Sequence, residues 1–265
     1  MRLLADLHTH TMASGHAYST LTEMVRGAAV GGLELIAITD HGPAVPQGSH
    51  YWYFWNSKVL PAVMDGVRIL KGCEANISPS EENGLDLPDV VLEKLDFVAI
   101  GFHPLTGFDD GDIERNTEAI ERVIANPLVD MVTHPGNAEF PVHLERVVAG
   151  ALAHGVILEI NDNSFQASSS RSQHSESERE LVGLAREAGC FVAINSDAHY
   201  HLHVGRFDHG IAVAQAAGFT EADIVNRTAG SVLEFLLARR SRPRLNMGGD
   251  WIDPTWEPPS RGERA

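Results

Sequence analysis

Leu3-Leu4-Ala5-Asp6-Leu7-His8-Thr9-His10 is a short apolar run that ends in two histidines, and much of the remaining chain repeats its form. Alternate side chains of a strand share a face, so this spacing predicts that His8 and His10 point the same way and share one metal ion. An isolated His-x-His means little, since most such pairs decorate a surface or a core. Repetition gives it weight. The run 33–41 ends in Asp40-His41, 67–74 in Glu74, and 95–103 in Gly101-Phe102-His103. The run 129–134 ends in Thr133-His134, 155–161 in Glu159-Ile160-Asn161, and 190–199 in Asn195-Ser196-Asp197-Ala198-His199.

Helical patterns separate most of these runs. The first starts at Ser19-Thr20-Leu21-Thr22-Glu23, with Ser19 expected as its cap, and stops at Gly31-Gly32. Others are expected over 56–64, 111–125, 143–154 and 175–188. Alternating strand and helix predicts a mainly parallel sheet with helices outside it. Seven strands can be counted, one short of the eight of the common barrel. A doubly wound open sheet shows the same alternation, but it gathers its site at one switch point, from the ends of a few strands. Here nearly every strand ends in a polar, ligand-type residue, as in a closed barrel whose site lies at the C-terminal strand ends. One such domain is expected over 1–241, followed by an extended Pro/Gly-rich tail over 242–265 with no assigned chemistry.

Composition narrows the function. The chain has 265 residues and a formal net charge of -16, which argues against a nucleic-acid backbone or an anionic membrane as the main partner. Two cysteines without CxxC spacing favour a reduced, cytoplasmic setting. No apolar leader or membrane span is visible. The unusual count is 14 histidines. Seven of them, His8, His10, His16, His41, His103, His134 and His199, join Glu74 and Asp197 at or just beyond strand ends. Each zinc-like ion takes about four ligands, so nine suit two or three ions. An oxygen-preferring Mg²⁺ or Ca²⁺ site has no use for seven imidazoles.

These motifs, in this order, resemble those of the PHP (polymerase and histidinol phosphatase) superfamily. The similarity is closest to the stand-alone YcdX-type PHP phosphatases, over about residues 1–240. His16-Ala17-Tyr18-Ser19, Glu74-Ala75-Asn76 and Glu159-Ile160-Asn161 support it. The resemblance implies a distorted (βα)7 TIM-like barrel with a trinuclear centre of divalent ions, zinc first, manganese or iron otherwise. It places one ion on His8, His10, Glu74 and Asp197, and a second on Glu74, His103 and His134, bridged by Glu74. The third falls to His16, His41 and His199. It further implies a cytoplasmic metal-dependent phosphomonoesterase acting on a small phosphorylated metabolite.

Asp6 and Asp40 are read as carboxylates that orient ligand imidazoles, with strand-end turns as the plain alternative. Arg206 is either a grip on substrate phosphate or a surface capping residue. His201, His203 and His209 are read as loop-surface histidines, and His143, His154 and His174 as helix-associated ones. The aromatic run Tyr51-Trp52-Tyr53-Phe54-Trp55 has three readings: pocket wall, contact in a homo-oligomer, or core. Two other enzyme classes compete. One is phosphodiester or exonuclease-like hydrolysis of nucleotides or nucleic acid. The other is amidohydrolase chemistry, which would call for a strand-borne carboxylated lysine, and Lys71 lies too early and on the wrong face for that. A non-catalytic metal-binding domain is the remaining reading.

Overall fold

The computed structural model describes residues 1–79, 82–108, 111–166 and 175–239. The expected tail over 242–265 and His174 lie outside them. Strands β1 (Ala5–Asp6), β2 (Leu35–Ile38), β4 (Val67–Asn76), β5 (Phe97–Gly101), β6 (Met131–Val132), β7 (Ile157–Asn161) and β8 (Val192–Asn195) pair in parallel in that order. Alternation decides which side chains go where. Leu35, Ala37, Leu70, Phe97, Ala99, Met131, Ile157 and Ala193 fill the interior. Their neighbours Ile36, Ile38, Ile69, Val98, Ile100, Leu158 and Ile194 pack outward into the helical layer. Both sides of the sheet are therefore dry, as in a barrel whose strands are covered outside by helices.

The seam between β8 and β1 is closed largely by side chains. Asn226 Nδ2 donates to the carbonyls of Ala5 (2.8 Å) and Ile194 (2.7 Å), and its Oδ1 accepts from the Ile194 N–H. Higher up, Asn195 Oδ1 accepts from the Leu7 N–H at 3.0 Å, and Thr9 bridges to Ala198. Amide side chains stand in for ladder hydrogen bonds at the seam, so buried backbone groups stay satisfied. The result is the expected distorted seven-stranded barrel, nearly closed.

Helices α1 (Leu21–Gly31), α4 (Ile113–Ile124), α5 (Leu144–His154), α6 (Ser175–Ala188) and α7 (Asp208–Ala216) cover the outside. α8 (Ala229–Ala238) closes the N-terminal end, where Val232, Leu233 and Leu236 join the interior core. α1 is capped by Thr20 rather than the expected Ser19, because Thr20 and Glu23 form a reciprocal capping box. Ser19 is instead buried, with its hydroxyl 3.0 Å from His201 Nδ1.

The helix expected over 56–64 does not form. The aromatic run makes a short helix, α2 (Tyr51–Trp55), followed by a 3-10 turn over Asn56–Val59. The chain then enters β3 (Val63–Met64), antiparallel to β4. Asp65 and Gly66, with φ of 50° and 75°, make the tight Asp-Gly hairpin between these strands. Positive φ at both turn residues matches the right-handed twist of a hairpin, and this local signal overrides the helical spacing before it. A last short helix, α3 (Asp89–Leu92), precedes β5.

Candidate metal centre

Period-two alternation carries Leu70-Gly72-Glu74 along the inner side of β4, so Glu74 arrives fully buried at its C-terminal end. Five imidazoles close on its carboxylate. His8 Nε2 (3.2 Å), His10 Nε2 (3.5 Å) and His41 Nδ1 (3.0 Å) face Oε2. His103 Nε2 (3.3 Å) and His134 Nε2 (3.1 Å) face Oε1. Asp197 Oδ1 lies 3.5 Å from His8 Nε2 and 3.4 Å from His10 Nε2. His199 and His16 complete the outer side, Nε2 to Nε2 at 2.9 Å. Ligand-type atoms thus gather into four overlapping triads: His8, Glu74 and His134; His8, His10 and Asp197; His41, Glu74 and His103; His10, His41 and His199. His41 therefore faces two ways, toward Glu74 and His103 and toward His10 and His199.

Regular strand alternation is not what aims the two i,i+2 pairs. β1 ends at Asp6, before His8, and β8 ends at Asn195, before Asp197. Asp197 and His134 adopt positive φ, 52° and 30°. Left-handed backbone is uncommon outside glycine and costs energy, so these two polar strand-end residues are held in it by their surroundings. His8 and His10 nonetheless end with ring centres 5.0 Å apart.

Hydrogen bonds fix which nitrogen of each ring carries its proton. His8 Nδ1 lies 2.8 Å from Glu159 Oε1, a carboxylate that can only accept, so Nδ1–H donates and Nε2 is the nitrogen turned toward Glu74. Ser14 Oγ donates to Asp40 Oδ1 at 2.7 Å, which leaves it to accept from His10 Nδ1–H at 2.9 Å. His199 Nδ1–H donates to the Asp197 carbonyl at 3.0 Å. Among the described residues the buried Nε2 atoms of His8 and His10 have no hydrogen-bond partner, and neither has Glu74 Oε2. The neutral His10 ring turns a lone pair toward that carboxylate oxygen, and the two repel unless a cation lies between them. The donor set, imidazole nitrogens around one bridging carboxylate, fits divalent ions of the zinc type.

The electrostatics agree. Burial, with His199 and His41 nearby, holds the His10 pKa well below its ordinary value, and burial lowers those of His16, His41 and His199. These rings are neutral, ready to donate lone pairs. Burial works against charge on His8 too, but Glu159, Glu74 and Asp197 outweigh it and raise its pKa well above the ordinary value. Burial would likewise raise Glu74, yet His8, His103 and His41 pull it well below the usual carboxylate range.

The structure gives Asp6 and Asp40 different roles. Among the described residues Asp6 makes no hydrogen bond to an imidazole ring. It accepts from Ser196 Oγ (2.5 Å) and from the N–H groups of Ser196, Gly205 and His8, tying the loop after β8 to β1. Burial pushes its pKa up to about 6 against those hydrogen bonds. Asp40 acts on His10 through Ser14, and it also accepts from Thr11 N–H, Thr11 Oγ1 and the Tyr53 hydroxyl. The aromatic run splits accordingly. Phe54 is core, Tyr53 reaches Asp40 at 2.6 Å, and Trp52 is 67% exposed. Arg206 is exposed in the loop after His203, where its charge helps lower the His203 pKa, behind burial.

Two contributors were not singled out as site residues. Glu159 holds His8 and also accepts from the His134 N–H at 2.8 Å. Thr133 Oγ1 donates to Glu74 Oε1 at 2.6 Å. The available signal for Glu159 was a carboxylate inside an otherwise apolar strand, Ile157-Leu158-Glu159-Ile160.

The PHP domain family matches residues 6–189. The chain belongs to the PHP domain family. A protein of Thermoanaerobacter sp. (strain X514), named a probable phosphatase, is 46% identical over 242 residues, 91% of this chain and 98% of its own length. Another so named, from Acetivibrio thermocellus, is 38% identical over 244 residues, covering 92% and 99%. Among solved structures, histidinol phosphate phosphatase from Lactococcus lactis, complexed with zinc, L-histidinol and phosphate, superposes with a TM-score of 0.61. That match covers 83% of this PHP chain and 95% of the other at 16% identity, a likeness of fold. Among the described residues of the PHP barrel, no helix is long and apolar enough to cross a membrane.

Proposed function

We propose that this PHP protein is a metal-dependent phosphatase that hydrolyses small organic phosphate monoesters. One observation carries the reading: five imidazoles converge on the one buried carboxylate group of Glu74, with the Nδ1 atoms of His8 and His10 held so that each Nε2 turns toward it. Three divalent ions, zinc first, would be held by His8, His10, Glu74 and Asp197, by Glu74, His103 and His134, and by His16, His41 and His199. When bound, such ions neutralise phosphoryl oxygens and lower the pKa of water enough for attack near neutral pH.

The chain's own residues prepare that chemistry. Glu159 and the Asp40–Ser14 pair orient His8 and His10, so these ligands meet an incoming ion without rearranging. Burial lowers the pKa values of His16, His41 and His199 and so favours their unprotonated form. Arg206, on the rim beside His203, grips a phosphate oxygen of the substrate. The formal charge of -16 favours a small phosphorylated molecule over a polynucleotide, whose extended phosphate backbone would be repelled.

The test is hydrolysis of a chromogenic phosphate monoester and its matching diester by one preparation. Chelator-stripped protein is compared with protein reloaded with zinc or manganese, and Arg206→Ala is run beside it. Monoester turnover that disappears on stripping and returns on reloading supports the proposal, with Arg206→Ala raising KM about tenfold. Turnover of the diester alone, or of neither ester, overturns it.

A further inference from the structure

The chain contains three lysines, Lys58, Lys71 and Lys94; two of them border one cavity and the third reaches a tryptophan of its wall. Lys58 and Lys71 border a cavity of about 630 Å³ between the 51–60 segment and the outer side of β2 and β4. Lys94 Nζ lies 4.3 Å from the ring centre of Trp55, in the wall of the same cavity. None of the three pairs with a carboxylate among the described residues, where the ion pairs of non-histidine cations are made by arginines. In a chain with 36 acidic residues this is a local concentration of unneutralised positive charge. Trp52 and Trp55, exposed by 67% and 38%, supply flat apolar walls, and Ile38 of β2 and Gly72 of β4 form the sheet side of the cavity. None of the residues lining it is a candidate metal ligand.

We propose that this cavity binds a compact aromatic molecule bearing an anionic group. The ring lies against the tryptophan faces and the anion lies between Lys58 and Lys71. The volume is that of a small-molecule site, where apolar walls and a few placed polar groups set orientation. Low-dielectric walls around like charges focus the field on an entering anion. The ring contributes apolar burial, and the lysines discriminate by charge.

The experiment is calorimetric titration of the metal-loaded enzyme in saturating inorganic phosphate, which keeps the phosphoryl-binding side filled. Naphthalene-2-sulfonate is the probe, because a sulfonate is no substrate for a phosphatase. Neutral 2-naphthalenemethanol and inorganic sulfate are the controls. The expected result is one saturable site per chain for the sulfonate, about tenfold weaker binding of the neutral ring, and none of sulfate. Replacing both Lys58 and Lys71 by Ala weakens sulfonate binding about tenfold and leaves monoester hydrolysis unchanged. Trp52→Ala, at an exposed position, weakens it independently should the double variant fold poorly by circular dichroism. No saturable heat, binding that survives loss of both lysines, or equal affinity for the neutral ring overturns the proposal. So does sedimentation showing self-association that vanishes in the double-lysine variant, which makes the acidic surface of a second copy the occupant. The deciding readout is binding of the sulfonate, so failure of the phosphatase reading removes only the hydrolysis control and leaves this test standing.

Discussion

Glu159 shows how much one buried side chain does here. Its Oε1 takes the His8 Nδ1–H, and its Oε2 takes the His134 N–H, so one carboxylate sets a ring just after β1 and the backbone after β6. Burial would raise its pKa, but His8, with His134 behind it, lowers it, so Glu159 is an anion that can only accept. Glu159→Gln keeps the shape but offers one acceptor oxygen and an NH₂ donor. If the NH₂ faces His8, the ring must turn its lone pair inward and its N–H toward Glu74, the wrong tautomer for a ligand. Loss of such a supporting group costs about 10–100-fold in metal affinity. Elemental analysis after equilibration against a graded chelator is expected to show Glu159→Gln releasing metal at about that much lower chelator strength, with unchanged circular dichroism. Retention at wild-type chelator strength would show that His8 needs no such orientation. The sequence showed His8 and His10 as ligand types because histidine at a strand end is conspicuous. It could not show Ser14 or Tyr53 joined to Asp40, since those partners meet only after the loops following β1 and β2 fold onto each other.

Elements were legible where one signal ruled and illegible where two competed. α6 begins and ends at its expected residues, because a long amphipathic pattern runs unopposed into Gly189. The 56–64 stretch failed, because helical spacing ran into an Asp-Gly hairpin that needs β3 to pair with β4. The strand ends failed more subtly. Their residues were identified, but positive φ at His134 and Asp197 depends on neighbours far along the chain. β5 offers the sharper test of how strands build the site. Gly101 closes this strand beside Thr133 and Glu74, and a Cβ there would fall 2.3 Å from Thr133 Oγ1 and 3.2 Å from Glu74 Oε1. Either the Thr133–Glu74 hydrogen bond opens or the strand end shifts. Gly101→Ala is therefore expected to destabilise the protein by about 1–3 kcal/mol and to deplete bound metal, read by calorimetry and elemental analysis of one sample. A variant with full metal content and unchanged Tm would mean that β5 yields without disturbing Glu74.

At the scale of the molecule, the barrel concentrates ionisable groups that water would otherwise solvate, and this sets how stability responds to pH once metal is stripped. His10, His16, His41 and His199 have lowered pKa values, so below the ordinary value of 6.5 the unfolded chain takes up protons that the folded rings refuse. Stability from these four groups is present above about pH 6.5 and drains away as pH falls. Asp6, raised to about 6, opposes them singly, since its protonated form favours the fold until pH rises through that value. His8 has the reverse sign to the other rings. Its raised pKa stabilises the fold fully below 6.5, and that contribution is lost as pH climbs toward its folded value. Glu74 and Glu159, with lowered pKa values, matter only at and below their ordinary 4.5. The stripped protein should therefore be most stable near pH 6.5, with Tm falling on both sides. Divalent ions replace the His8 proton as the partner of the surrounding carboxylates, so the loaded protein keeps its Tm on the alkaline side and loses it on the acid side as protons compete for the ligands. Scanning calorimetry of stripped and reloaded protein between pH 5 and 8.5 checks this. A stripped protein whose Tm is flat from 6.5 to 5 would mean that the four imidazoles are already solvated without metal, and that the ions, rather than the barrel, draw them together.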